Sequence, residues 1–199
     1  MKKKTKIAIF VVSILCIAAV IILLFCIKNK NNVGETENSQ NMTTEQTCIY
    51  ALKTAYPTDF MFIGDAESLN FDESLEYRTL DKVNADTLKR DKKYKYSVII
   101  INDLDGKMEL SDDTLSAMQK CIVTDRGFYL MYLGKNFEKL EPMGIYSEDG
   151  PSQIRGVYLL VSFIFGSRTL EYGSTEDTSI SAADIMLTLK ISIENSQPQ

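Results

Sequence analysis

Residues 96–134 read YSVIIINDLDGKMELSDDTLSAMQKCIVTDRGFYLMYLG, and the succession of patterns inside them decides the fold. Residues 96–101 (YSVIII) and 128–133 (FYLMYL) are short runs of β-branched and aromatic residues, apolar on both faces. Strands of that kind belong to a sheet covered on both sides, which is the setting of a parallel sheet. Between them the period becomes helical. Ser111 stands as N-cap, Asp112 and Asp113 fall in the first turn where the dipole favours acids, Leu115, Met118 and Ile122 share a face, and Gly127 lies past the end. Strand, helix and strand in about 38 residues make a βαβ unit, right-handed by default.

Further runs extend this unit upstream. Residues 60–64 (FMFIG) and 76–80 (EYRTL) read as additional strands. Ahead of them Thr43 and Gln46 have the capping-box spacing, and Cys48, Ile49, Leu52, Ala55 and Tyr56 recur on one helical face until Pro57. Downstream, residues 152–166 (SQIRGVYLLVSFIFG) are apolar without clear periodicity and fit either a buried strand or a helix. That stretch is too short, and too close to Arg155 and Arg168, for a membrane span. In 182–194 (AADIMLTLKISIE), Ile185, Leu187, Leu189, Ile191 and Ile193 alternate like a strand, whereas Ser181 and Asp184 form a helix start and Ile185, Leu189 and Ile193 share a helical face. We read this last segment as a helix. Residues 44–199 thus form one acidic α/β domain with a mostly parallel sheet, and no internal repeat is visible.

The amino-terminal part is of another kind. Residues 7–27 (IAIFVVSILCIAAVIILLFCI) carry no charge and are bracketed by Lys2, Lys3, Lys4 and Lys6 before and Lys28 and Lys30 after. As a helix rising about 1.5 Å per residue the run would reach roughly 30 Å, the thickness of a hydrocarbon core. It exceeds the apolar region of a cleaved signal peptide and has no small-x-small site at its exit, and neither Cys16 nor Cys26 follows a small residue as lipidation would require. The expectation is an uncleaved signal anchor with residues 1–6 as a basic cytoplasmic tail. The lysine bias places the C-terminal domain outside the cytoplasm. Residues 28–43 (KNKNNVGETENSQNMT) are too polar to bury a core and read as a flexible tether.

Charge narrows the range of partners. All six charges of residues 1–30 are lysines, so the remainder carries 16 Lys+Arg against all 27 Asp+Glu, a net of −11. Such a surface repels phosphate backbones, which argues against nucleic-acid binding. The local exception, Lys89, Arg90, Lys92, Lys93 and Lys95, reads as a solvated helix end and loop before a buried strand, with a docking patch as the other reading. Of the two cysteines in the domain, Cys48 and Cys121, two readings are open. Each can be a small buried residue on its own helix face, or the pair can close a disulfide outside the cytoplasm.

The stretch 96–134 resembles the corresponding part of class I glutamine amidotransferase-like domains, through Val98 to Ile101, Asp103, Ser111, Leu115, Ile122, Gly127 and Gly134. In that family a strand ending in an acid leads to a Ser- or Thr-capped helix, then to a glycine and an apolar strand. The resemblance implies a flavodoxin-like three-layer sandwich. It does not carry the family's chemistry, which needs a cysteine on a strained elbow activated by histidine. This chain has no histidine, and Cys121 lies within the helix. Asp103-Leu104-Asp105-Gly106 after an apolar strand also looks like the nucleophile motif of haloacid dehalogenase-type phosphatases, yet Lys107 stands where that family has Thr or Val. The plainer reading makes Asn102 to Gly106 a turn with solvated carboxylates.

No glycine-rich phosphate loop, C-x-x-C or G-x-S-x-G is present, and nothing implies a cofactor or a metal. In open α/β sheets ligands sit beyond the carboxyl ends of the strands. Here that position falls on Asp65, Asp103, Asp105 and Lys135. The expectation is a single-pass membrane protein whose extracytoplasmic domain binds a partner or ligand without turning anything over, as a component of an envelope complex. An aspartate-dependent hydrolase and a regulator facing the cytoplasm are the alternatives.

Overall fold

The isoleucine-rich run lies in the middle of a six-stranded sheet. In the computed structural model, which describes residues 41–144, 156–164, 167–173 and 179–197, the strands are β1 (Thr58–Ile63), β2 (Tyr77–Thr79), β3 (Tyr96–Asn102), β4 (Phe128–Leu133), β5 (Tyr158–Ile164) and β6 (Ser167–Tyr172). Among the described residues three α-helices accompany them: α1 (Thr44–Thr54), α2 (Asp112–Thr124) and α3 (Ala182–Asn195). Sheet order is β2-β1-β3-β4-β5-β6, with the first four strands parallel and β5 and β6 antiparallel additions. The fold is therefore α/β with a mostly parallel sheet. These elements belong to one compact unit, Thr44–Gln199.

Period-two alternation along the strands divides the core into two layers. On one face Phe60, Phe62, Val98, Ile100, Tyr129 and Met131 pack against Cys48, Ile49 and Leu52 of α1 and Ile185, Met186, Leu189 and Ile193 of α3. On the other, Met61, Ile99, Ile101, Leu130 and Tyr132 pack against Leu115, Met118 and Ile122 of α2 and against Phe137, Leu140 and Met143 of the 3₁₀ segment after β4. Each isoleucine taken fully out of water contributes roughly 1.5–3 kcal/mol, so Val98 to Ile101, all without exposure, are with Tyr129 to Leu133 a dense source of stability. Helices thus cover both faces, as the doubly apolar strands require.

The helix starts follow their sequence signals. Ser111 accepts from Thr114 N at 3.3 Å, and Ser181 forms a reciprocal capping box with Asp184. The helical face wins in α3: Ile185, Leu189 and Ile193 are buried, while Leu187 and Ile191, which alternation would have placed beside them, remain 37 % and 43 % exposed. The undecided stretch 152–166 contains β5, whose antiparallel pairing with β4 keeps Leu159 to Val161 buried between the layers.

Two connections depart from a regular doubly wound sheet. Residues 64–76, between β1 and β2, hold a single 3₁₀ turn, Glu67–Leu69, and no α-helix lies between β2 and β3. Short loops replace them, with Leu69 and Leu75 closing the first face and Leu80 and Leu88 the second.

The cysteine alternatives resolve against a disulfide. Cys48 and Cys121 are both free, and they pack on opposite faces of the sheet. Burial pushes both thiols up from their ordinary value, so each behaves as a small apolar residue. Among the described residues no helix is long and apolar enough to cross a membrane; the run 7–27 lies outside them.

Candidate functional site

Strand order reverses at β1. The chain leaves β1 for β2 on one side, then returns to place β3 and β4 on the other. Crossovers of one hand that run in opposite directions must lie on opposite faces, and they do: Leu69 and Leu75 after β1 belong to one layer, α2 after β3 to the other. The carboxyl ends of β1 and β3 therefore part to leave a crevice, the position where open α/β sheets hold ligands.

The crevice is a groove of about 460 Å³ lined by Gly64, Asp65, Ser68, Asn102, Leu104, Asp105, Lys107 and Met108. Asn102, the last residue of β3, fixes its floor, donating from Nδ2 to the Asp65 carbonyl oxygen at 2.6 Å and to Ser68 Oγ at 2.9 Å. Asp65 accepts the Ser68 N–H at 3.2 Å, which opens the 3₁₀ turn. Gly64 has φ +92°, and a Cβ there would lie 2.5 Å from Met108 Cε and 2.7 Å from Asn102 O. A side chain at this position would close the groove and strain its backbone.

The opposite wall is the loop 103–108. Asp105 is exposed, and the Lys107 backbone N–H, followed by the Lys107 ammonium, holds its carboxyl below the usual carboxylate range. Lys107 Nζ lies 3.3 Å from Asp105 Oδ2. Leu104 contributes an apolar surface, 44 % exposed. The groove thus offers two carboxylates, one ammonium, an amide and an apolar contact, a set suited to holding a polar surface.

Asp103 corrects the sequence reading. It is 1 % exposed instead of solvated, and it faces the interior below the loop. Oδ1 accepts the Met108 N–H at 2.8 Å, while Oδ2 accepts from Tyr132 Oη and from Lys139 Nζ, the latter at 2.6 Å. Lys139 also donates to the carbonyl oxygens of Gly106 at 3.0 Å and Met108 at 2.8 Å. All three ammonium protons are spent on the loop. Burial of this carboxylate is tolerable only because it is paired and fully hydrogen-bonded. A nucleophile needs a free oxygen aimed at substrate, and Asp103 has none.

Of the four loop residues expected to meet a ligand, the structure brings Asp65 and Asp105 together in the groove. Asp103 supports the wall from beneath, and Lys135 is exposed after β4 without lining the groove. The residues missed are Asn102, Ser68, Tyr132 and Lys139. A polar residue ending an apolar strand was the available signal for Asn102; Lys139 lies 36 positions from its carboxylate and had none.

A second recess, of about 390 Å³, is lined by Tyr158, Ile180, Asp184 and Thr188. An apolar gap lined by Ile49, Leu52, Phe60 and Leu75, beneath the Lys53–Glu76 ion pair, encloses about 40 Å³, room for a water rather than an organic ligand. Among the described residues no group of three or more His, Cys, Asp or Glu side chains is placed to hold a metal ion. Comparisons with protein families, with characterised proteins and with solved structures returned no match, so the site rests on its own geometry.

Proposed function

We propose that this chain is a single-pass membrane protein that presents its α/β domain outside the cytoplasm, where the domain binds a partner in an envelope complex without transforming it. The observation that carries the reading is the run 7–27, uncharged, bracketed by lysines and followed by the polar tether 28–43. The groove between β1 and β3 supports the binding half, being open, polar and pre-formed by Asn102 and Gly64. The committed state of Asp103 weighs against the aspartate-dependent hydrolase. The likeness of residues 96–134 to amidotransferase-like domains enters as a flavodoxin-like arrangement stripped of catalytic residues, the 2-1-3-4 order of the parallel strands being its main support.

The test is photo-crosslinking in intact membranes, with the reactive group placed at Leu104 in the groove and, as control, at Val123, exposed on α2. The reading expects a discrete protein adduct from Leu104 that Asp105→Lys abolishes, and none from Val123. Equal adducts from both positions, or none from Leu104, contradict it.

A further inference from the structure

We propose that copies of this chain associate head to tail, the basic amino edge of one domain seated on the acidic carboxyl edge of the next. The inference deepens the binding reading above, on which it rests, by naming the groove's partner.

The topology sorts charge along the strand direction. At the carboxyl edge, residues 64–73 and 103–113 hold nine acids against Lys107, and the loop after β4 adds Lys135 and Lys139 against Glu138 and Glu141. Asp103 is neutralised internally by Lys139, and the others, Asp65, Glu67, Asp105 and Glu109 among them, are on the surface. At the amino edge, residues 89–95 and 125–127 hold six cations against Asp91 and Asp125.

Hydrogen bonds draw the two basic segments into one surface. Ser97 N donates to Gly127 O at 2.8 Å, and Arg90 reaches Gly127 O at 3.3 Å. Arg90 is spent on Asp125 at 3.0 Å. Lys89, Lys92 and Arg126 are exposed and form no ion pair among the described residues. A surplus of cations therefore sits on an otherwise acidic chain.

Net charge alone would keep copies apart, because each carries −11 beyond residue 30. Screening decides between the two effects. At physiological ionic strength the Debye length is about 8 Å, so charges on distant parts of two domains barely interact while edges in contact attract. Like edges brought together by a two-fold axis would set acid on acid or base on base, which disfavours an isologous dimer. Opposite edges make a heterologous contact instead, which repeats. Anchoring in one membrane would raise the effective concentration for such contacts.

The test uses the full chain in uncharged detergent, followed by sedimentation. One variant reverses the amino edge from a net of +4 to −2 (Lys89→Glu, Lys92→Glu, Arg126→Glu), and the other strips most of the charge from the carboxyl edge, taking it from −8 to −2 (Glu67→Lys, Asp105→Lys, Glu109→Lys). Thermal unfolding establishes that both fold. The wild-type chain is expected to associate progressively with concentration, and to lose that association as salt rises from about 0.01 M to about 1 M, where the screening length falls from roughly 30 Å to roughly 3 Å. Each variant alone is expected to stay monomeric. Their equimolar mixture should form a one-to-one dimer and nothing larger, since the acidic carboxyl edge of the first still meets the basic amino edge of the second while the two altered edges, both net negative, repel. A monomeric wild type at low salt, association that either variant retains, or a mixture that stays monomeric overturns the proposal. A Leu104 adduct with a different protein, alongside a monomeric mixture, would sink head-to-tail association and leave the groove reading standing.

Discussion

Asp103 and Lys139 show how one tertiary pair reverses the meaning of a motif. Read along the chain, Asp103 and Asp105 are two carboxylates after an apolar strand; in the fold one is internal and locked and the other is on the surface. Lys139→Met would leave the Asp103 carboxylate buried with only the Tyr132 hydroxyl and the Met108 N–H, and breaking such a pair costs about 3–5 kcal/mol. Denaturant titration should show that loss, and Asp103→Asn added to Lys139→Met should recover part of it, because the uncompensated charge is gone. Tyr129 gives a second handle. Burial pushes its phenol up to about 12 from 10.0, against a smaller lowering from the Ser196 hydroxyl, whose Oγ lies 2.7 Å from Tyr129 Oη. Between those values the folded chain holds a proton that the unfolded chain has released, so this contribution is complete below pH 10 and is lost as pH climbs towards 12. The two-unit difference corresponds to about 2–3 kcal/mol at most. Unfolding followed across that range should fall more steeply for wild type than for Tyr129→Phe.

At the scale of elements, local signals succeeded wherever one periodicity had no rival. β3, α2 and β4 were legible because β-branched runs, an N-cap with acids behind it and a helical stripe all agreed. Ser111→Ala should cost about 1 kcal/mol, visible as a lower unfolding midpoint, since the Thr114 N–H loses its acceptor. In α3 two periodicities competed, and the capping box of Ser181 and Asp184 broke the tie by making a helix start available. β5 could not be assigned from its residues, because a strand between two covered faces lacks alternation and resembles a buried helix. The missing crossover helices around β2 were unreadable for a related reason: polar loops there close the core with isolated leucines that carry no period. The site was legible only as far as the strand ends are. Asp65 and Asp105 follow from the rule that ligands meet carboxyl ends, whereas the shape of the groove depends on Asn102, Ser68 and the φ of Gly64, which come together through pairing of β1 with β3.

Taken whole, the described domain is a polar object in two senses. Its parallel strands place every β1-to-β4 carboxyl end on one edge, and the loops there concentrate acids while the opposite edge gathers lysines and arginines. The run 7–27, read as an anchor, would turn that domain into a tethered surface whose concentration is set by the membrane. The central claim is that the domain is displayed on the far side of that membrane from the cytoplasm. A reporter enzyme fused after Gln199, active only outside the cytoplasm, tests it most directly. The account predicts a membrane-bound, active reporter whose activity disappears when residues 7–27 are deleted; an inactive reporter at this position, with a cytoplasm-dependent reporter active there instead, would contradict it.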